Sequence, residues 1–234
     1  SLSAVDDYLA FGYVPDANCM LRNVMKLPAG SHLTLQQGRG LPQPVQYWDL
    51  DFSNRVKGSR AELEEELLHL MRQAVTSRMV ADVPLGAFLS GGVDSSAVVA
   101  CMAGLSDEPI NTCSMAFDDP AFNESAFAQM VAERYKTRHF VETVKSDDFD
   151  LIDTLAALYD EPYADSSAIP TYRVCQLARK HVTVALSGDG GDESFGGYRR
   201  YKLHMMEERM RAALPESIRR PVFGLLGRLY PKAD

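Results

Sequence analysis

Two short apolar runs, Leu85-Gly86-Ala87-Phe88-Leu89 and Val182-Thr183-Val184-Ala185-Leu186, each lead straight into a turn of serine, glycine and aspartate. This repeated junction constrains the fold more than any other feature of the chain. After the first run comes Ser90-Gly91-Gly92-Val93-Asp94-Ser95-Ser96, and then a second apolar stretch, Ala97-Val98-Val99-Ala100-Cys101-Met102. The order reads as a buried strand feeding a glycine-rich turn that opens a helix. Such a turn aims backbone N–H groups and the positive end of a helix dipole at one point, where a phosphate can sit. Ser90, Ser95 and Ser96 add hydroxyls, and Asp94 adds a carboxylate of the kind that holds Mg²⁺. No Gly-Lys-Ser/Thr follows, so this is not a Walker A loop.

The second turn, Ser187-Gly188-Asp189-Gly190-Gly191-Asp192-Glu193, has the same placement and texture. Two such turns at the ends of parallel strands would converge on one crevice. Their carboxylates alone would repel a polyphosphate, so the pattern implies a metal shared by Asp94 and Asp192. A calcium loop fits poorly, because the Asp-x-Asp-x-Asp-Gly order and the distant Glu are missing. The glycine spacing also differs from the dinucleotide-binding fingerprint.

Around these turns, apolar periodicities of helix and strand alternate, which predicts an α/β fold: a doubly wound parallel sheet with helices on both faces. Ser59 and Glu62 form a capping box for a helix with Leu63, Leu67, Leu70, Met71, Ala74 and Val75 on one face. Strands are expected at about residues 87–89, 110–117, 139–144 and 182–186, the last as a central strand. A helix from about Asn123 should turn Phe127, Met130 and Val131 inward. Ser146 can cap a further helix carrying Phe149, Ile152, Leu155 and Ala156. Pro170 suits the first turn of the next helix, which ends near Lys180. Residues 1–58 are turn-rich, with a hairpin arm expected at His32 to Leu35, and form a unit distinct from 59–234.

A formal charge of −8 disfavours a nucleic-acid-binding face. No apolar run approaches the roughly 20 residues that cross a bilayer, and no signal segment opens the chain. The four cysteines, Cys19, Cys101, Cys113 and Cys175, are widely spaced, as expected of buried thiols in a reducing cytoplasm. The five histidines show no metal-ligand spacing. For the charged stretch around Arg199 to Arg211 a solvated helix face is expected, and for Tyr198 a packing role.

Together these motifs carry a resemblance. The first turn resembles the pyrophosphate loop of the N-type ATP pyrophosphatases, the PP-loop ATPases of the adenine nucleotide alpha hydrolase-like fold. The second turn, followed by Phe195-Gly196-Gly197-Tyr198, narrows it to glutamine-dependent asparagine synthetases of the bacterial B type. Asp82-Val83-Pro84-Leu85-Gly86, Asp160-Glu161-Pro162, Asp165-Ser166-Ser167 and Pro170-Thr171-Tyr172 are similar to that family as well. Residues 1–58, with Phe11-Gly12-Tyr13-Val14-Pro15, Lys26-Leu27-Pro28-Ala29-Gly30 and Trp48-Asp49, resemble the tail of its glutaminase domain and the linker. Residues 59–234 resemble the ATP-binding part of its synthetase domain.

The resemblance implies ATP and Mg²⁺ as cofactors and an amide-forming ligase that adenylates a carboxylate, expels pyrophosphate and lets ammonia attack. It places Ser90, Gly91, Gly92, Asp94, Ser95 and Ser96 on the pyrophosphate, with Asp94 and Asp192 as metal ligands. Phe88 and Met115 would border the adenine, and Ser187 and Gly188 would meet the nucleotide. Asp189 stands where many relatives have Glu, near the reacting acyl centre. Glu161 and Asp165 would line the acceptor pocket, with a turn role as the alternative for both. Aspartate as acceptor, with ammonia from glutamine, is the reading the resemblance gives. Another carboxylate, as in exopolysaccharide-associated or β-lactam-forming relatives, and a silent nucleotide-binding scaffold remain open, as does a homodimer of the full-length protein. Ser1 is not the family's N-terminal cysteine nucleophile, and neither Lys202 nor Lys232 suits its catalytic lysine. The sequence thus reads as part of a longer protein, inactive in synthesis by itself.

Overall fold

The computed structural model describes residues 1–53, 55–119, 123–144, 151–213 and 215–229. In chain order the elements are α1 (Leu2–Phe11), β1 (Ser31–His32), β2 (Val45–Gln46), α2 (Arg60–Arg78), β3 (Leu85–Phe88), α3 (Val93–Leu105), β4 (Asn111–Phe117) and α4 (Ser125–Tyr135). These continue as β5 (Arg138–Val144), α5 (Ile152–Leu158), α6 (Ala168–Arg179), β6 (Val184–Leu186), α7 (Gly191–Phe195), α8 (Arg199–Ala213) and α9 (Glu216–Leu229).

Strands β3 to β6 form one sheet in the order β5-β4-β3-β6, every pair parallel. The chain moves outward from β3 through β4 to β5, then returns to add β6 on the other side of β3. The strand order therefore reverses between β3 and β6, the place where open α/β sheets bind ligands. Alternate side chains on each strand serve the two faces. Ala87 and Leu89 pack with Val99, Met102, Ala128 and Ala132 under α3 and α4. Phe88, Cys113, Met115 and Ala185 pack with Leu177, Ala178 and Val182 beneath α6. Helices thus cover both faces of a parallel sheet, the expected class.

Several expectations fail in detail. The run from Val182 to Leu186 yields an edge strand rather than a central one, with Val184 exposed. On α4, Phe127 and Met130 are 61% and 66% exposed, whereas Ala128 is fully buried. Val131 packs against the core as expected, and the backbone of α4 at Phe127 and Ala128 lies directly against Gly91. The capping box on α2 is made: the Glu62 N–H donates to Ser59 Oγ, and the Ser59 N–H donates to Glu62 Oε2. Its Leu63, Leu67 and Leu70 nevertheless stay exposed, because α2 reaches the core through Val75 and Met79 near its C-terminal end. The hairpin arm shrinks to β1, paired antiparallel with β2. On α5, Leu155 is buried but Ile152 and Ala156 face outward. Ser146 and Phe149 lie outside the described residues. All four cysteines are free. Cys113 is buried, which pushes its thiol up to about 11, but Cys175 is exposed.

The segment before α2 is tied to the loop before α6. Glu161 accepts from Lys26 Nζ at 2.8 Å and from the Met20 N–H at 3.1 Å, while the Ala164 N–H donates to the Gly12 carbonyl at 2.9 Å. The Lys26 hydrogen bond, aided by the Met20 amide, holds the Glu161 carboxyl below the usual range. A carboxyl lowered by folding adds stability that is complete above its unfolded pKa and is lost as pH falls through the folded one. Amide hydrogen exchange at Met20, corrected for its intrinsic rate, is therefore expected to accelerate once pH drops below the ordinary carboxylate range. Glu161→Gln should flatten that dependence; an equally steep profile in the variant would rule out the link.

Candidate nucleotide site

Both Ser-Gly turns leave adjacent parallel strands, so the switch point brings them face to face. Ala87 pairs with Leu186, and the first turn starts three residues beyond Ala87, the second one residue beyond Leu186. Contact between them is intimate: a Cβ on Gly188 would lie 2.5 Å from the Ser95 amide nitrogen. A Cβ on Gly191 would run into the Asp94 carboxylate. Gly91 adopts φ +86° with its Cα against the Ala128 amide, where an L side chain would be both strained and obstructed.

Between the turns opens a cleft of about 610 Å³. Phe88, Ser90, Gly92, Asp94, Ser95, Met115, Ser187, Gly188, Asp189 and Asp192 all line it. The first turn is held by its own hydroxyls. Ser90 Oγ and Ser95 Oγ lie 3.0 Å apart, the Gly92 N–H donates to Ser90 Oγ, and Ser95 Oγ donates to the Gly92 carbonyl. Gly92 is the N-cap of α3, so the first-turn amides of this helix have no intrahelical acceptor. In the second turn Ser187 Oγ donates to Asp189 Oδ2 at 2.9 Å. The apolar side is built by Phe88 and Met115, which also belong to the cluster beneath α6.

Four residues expected at the site do not line this cleft. Gly91 sits behind the turn against α4, and Ser96 Oγ donates to the Gly92 carbonyl at 2.6 Å. Glu161 and Asp165 border a separate hollow of about 540 Å³ with Tyr8 and Tyr159. Their carboxylates are engaged there, Glu161 as above and Asp165 by the Ser167 N–H and the Tyr163 hydroxyl. Conversely, Ser114, Phe117, Glu124, Pro170, Thr171 and Val174 line the cleft without having been singled out as site residues. Ser114 and Phe117 could have been found from the strand: they stand with Met115 near the carboxyl end of β4. Thr171 and Val174 arrive from α6 across the sheet, a proximity that no local pattern encodes.

The donor set suits Mg²⁺. Asp94 and Asp192 offer hard oxygen ligands, and this ion is usually held by one or two carboxylates, with substrate phosphates and water completing its shell. Among the described residues no cluster of three or more His, Cys, Asp or Glu side chains could hold a metal independently of a ligand. No described helix is long and apolar enough to cross a membrane.

Comparison with known proteins decides the family: the asparagine synthase sequence pattern matches residues 66–233. The chain belongs to the asparagine synthase family. One similar relative, from Methanocaldococcus jannaschii, is provisionally named asparagine synthetase (glutamine-hydrolyzing) 2. It is 41% identical over 197 residues, covering 83% of this chain and 38% of that protein. Asparagine synthetase (glutamine-hydrolyzing) 1 of Bacillus subtilis is 32% identical over 200 residues, covering 85% of this chain and 31% of its own length. The chain thus spans less than two fifths of either relative. Among solved structures, an NH3-dependent NAD synthetase from Campylobacter jejuni overlaps 59% of this chain and 60% of its own, at 13% identity and a TM-score of 0.38.

Proposed function

We propose that the cleft binds ATP with Mg²⁺ and that this family member serves ATP-dependent amide synthesis through an acyl-adenylate. The observation that carries the proposal is the meeting of two Ser-Gly-Asp turns at the switch point, with Asp94 and Asp192 on one cleft. In this reading Phe88 and Met115 flank the adenine, and Ser187 and Gly188 meet the nucleotide. The amides at the start of α3, with Ser90 and Ser95, receive the pyrophosphate, while Gly91 and Ser96 shape that turn from behind. A carboxylate oxygen of the acceptor attacks the α-phosphorus, and the α–β bridging P–O bond breaks with its electrons leaving on pyrophosphate. Ammonia then attacks the acyl carbon, AMP departs and a proton is lost, giving the amide. Mg²⁺, held by Asp94 and Asp192, would neutralise charge that builds on the leaving group. Preorganised amides and hydroxyls do the same without reorganising. Asp189 borders the reacting centre in this reading, steered by its bond from Ser187.

Aspartate is the proposed acceptor and glutamine the proposed ammonia source, in keeping with the names of the relatives. Residues 1–58 are proposed as the tail of a glutaminase-type domain and 59–234 as synthetase domain. The family match, 66–233, lies within the second of these segments. Acceptor-pocket roles for Glu161 and Asp165 are not part of the proposal, since both carboxylates are spent on other contacts. The test is exchange of labelled pyrophosphate into ATP by the full-length gene product with Mg²⁺ and a panel of carboxylates. Exchange that depends on aspartate is expected; exchange with another acid redirects the acceptor, and none with any acid defeats the synthetase reading.

A further inference from the structure

We propose that Tyr198 is a positioning residue that holds the Glu193 carboxylate away from the cleft, leaving Asp94 and Asp192 as the charges that face metal and polyphosphate. The inference rests on the nucleotide reading of the cleft. Glu193 directly follows Asp192 in α7, yet Asp192 lines the cleft and Glu193 does not. Helix geometry turns neighbouring side chains about 100° apart, and the return of the chain after α7 holds Glu193 in that direction. Gly196 turns left-handed at φ 69°, and the Gly197 N–H donates to the Asp192 carbonyl at 3.0 Å. Gly197 also presses its Cα on the Asp192 carboxylate, where a Cβ could not fit. This return delivers Tyr198, whose hydroxyl donates to Glu193 Oε1 at 2.6 Å, a short charge-assisted bond.

The phenol is itself fixed. It is half-buried, its ring stands 5.8 Å from that of Tyr201, and the Arg200 guanidinium carbon lies 4.3 Å from its centroid. Arg200 also places its positive charge near Glu193, and Asp192 is the neighbouring negative one. One return of the chain thus braces Asp192 and ties back Glu193. A released Glu193 carboxylate, one residue from Asp192, would add negative charge where a polyphosphate must approach, or draw the metal off its position.

Calorimetry with magnesium pyrophosphate on the full chain separates the possibilities. Tyr198→Phe removes the hydroxyl and keeps the ring, and it is expected to raise Kd ~10-fold, or ~1.4 kcal/mol. Adding Glu193→Gln to that variant should restore Kd to within ~2-fold of wild type, since the cycle then lacks the freed charge. If Tyr198→Phe binds like wild type, the clamp is overturned and the cleft reading stands. If it weakens binding and Glu193→Gln fails to restore it, Tyr198 only props the loop and the proposal falls. Absence of binding by the wild type would remove the cleft reading, and the clamp with it.

Discussion

Asp94→Ala is expected to cut pyrophosphate exchange by at least ~10²-fold, the scale of losing one preorganised electrostatic contact. Asp94 occupies the first turn of α3 and lines the cleft, with its carboxylate against Gly191. Two effects of the mutation can be told apart by size. Loss of an acidic residue from a helix N-terminus costs only about 0.3–1 kcal/mol of stability. A ~10²-fold loss of rate corresponds to ~2.7 kcal/mol of transition-state stabilisation, which that helix contribution cannot supply. Asp94→Asn keeps the shape and loses the charge, so it should fall nearly as far as the alanine variant. Wild-type exchange in either would remove the metal-holding role assigned here.

The largest effect on stability is expected at Gly91. At φ +86° an alanine meets left-handed strain of about 1–2 kcal/mol. Its Cβ would also lie 2.6 Å from the Ala128 amide nitrogen, which belongs to a helix backbone and cannot swing aside. Overpacking of this kind adds about 1–3 kcal/mol. The sum, about 3 kcal/mol, should lower Tm by roughly 6–12 °C. Gly38 provides the control, having φ +82° but no atom within 4 Å of a built Cβ. Gly38→Ala therefore bears the strain alone, about 1 kcal/mol and roughly 2–4 °C. Equal melting shifts in the two variants would show that the turn is not pressed against α4. Because that turn frames the cleft, Gly91→Ala should also weaken binding of an ATP analogue, whereas Gly38→Ala should not.

Much of this was legible along the chain, and the failures share a cause. Ser59 and Glu62 are three residues apart, and a capping box needs nothing more distant, so its reading is correct. Strand β4 begins within a residue of its expected start, because Ile110 to Phe117, with Ile, Thr, Cys, Met and Phe in it, is bounded by Pro109 and by Asp118-Asp119. The inward face of α4 was found that way only at Val131, which packs against the core. Phe127 and Met130 have the greater hydrophobicity, but Ala128 and Ala132 face the core because the rotation of α4 is set by its packing on α3 and β4. Strand β6 has the β-branched composition of an interior strand and yet lies at the edge, since strand order depends on chain crossovers. Glu161 and Asp165 lie in segments whose resemblance to the family suggested an acceptor pocket, and only their partners, one of them more than 130 residues away in sequence at Lys26, show where their charges are used.

The sequence by itself determined two phosphate-suited turns, the alternation of strand and helix around them, and the acidic residues each turn presents. Those are properties of neighbours in the chain, set by glycine's conformational freedom, hydroxyl and carboxylate chemistry, and the periods of helix and strand. The convergence of these turns, about 100 residues apart, was already implied by their shared placement; only tertiary structure decided that it comes from β6 lying beside β3 at the edge of the sheet. Tertiary structure also sent Glu161 to Lys26 and Glu193 to Tyr198 instead of toward that cleft. Parallel pairing is a long-range bond pattern, and which carboxylates stay free depends on what the folded chain brings within hydrogen-bond reach.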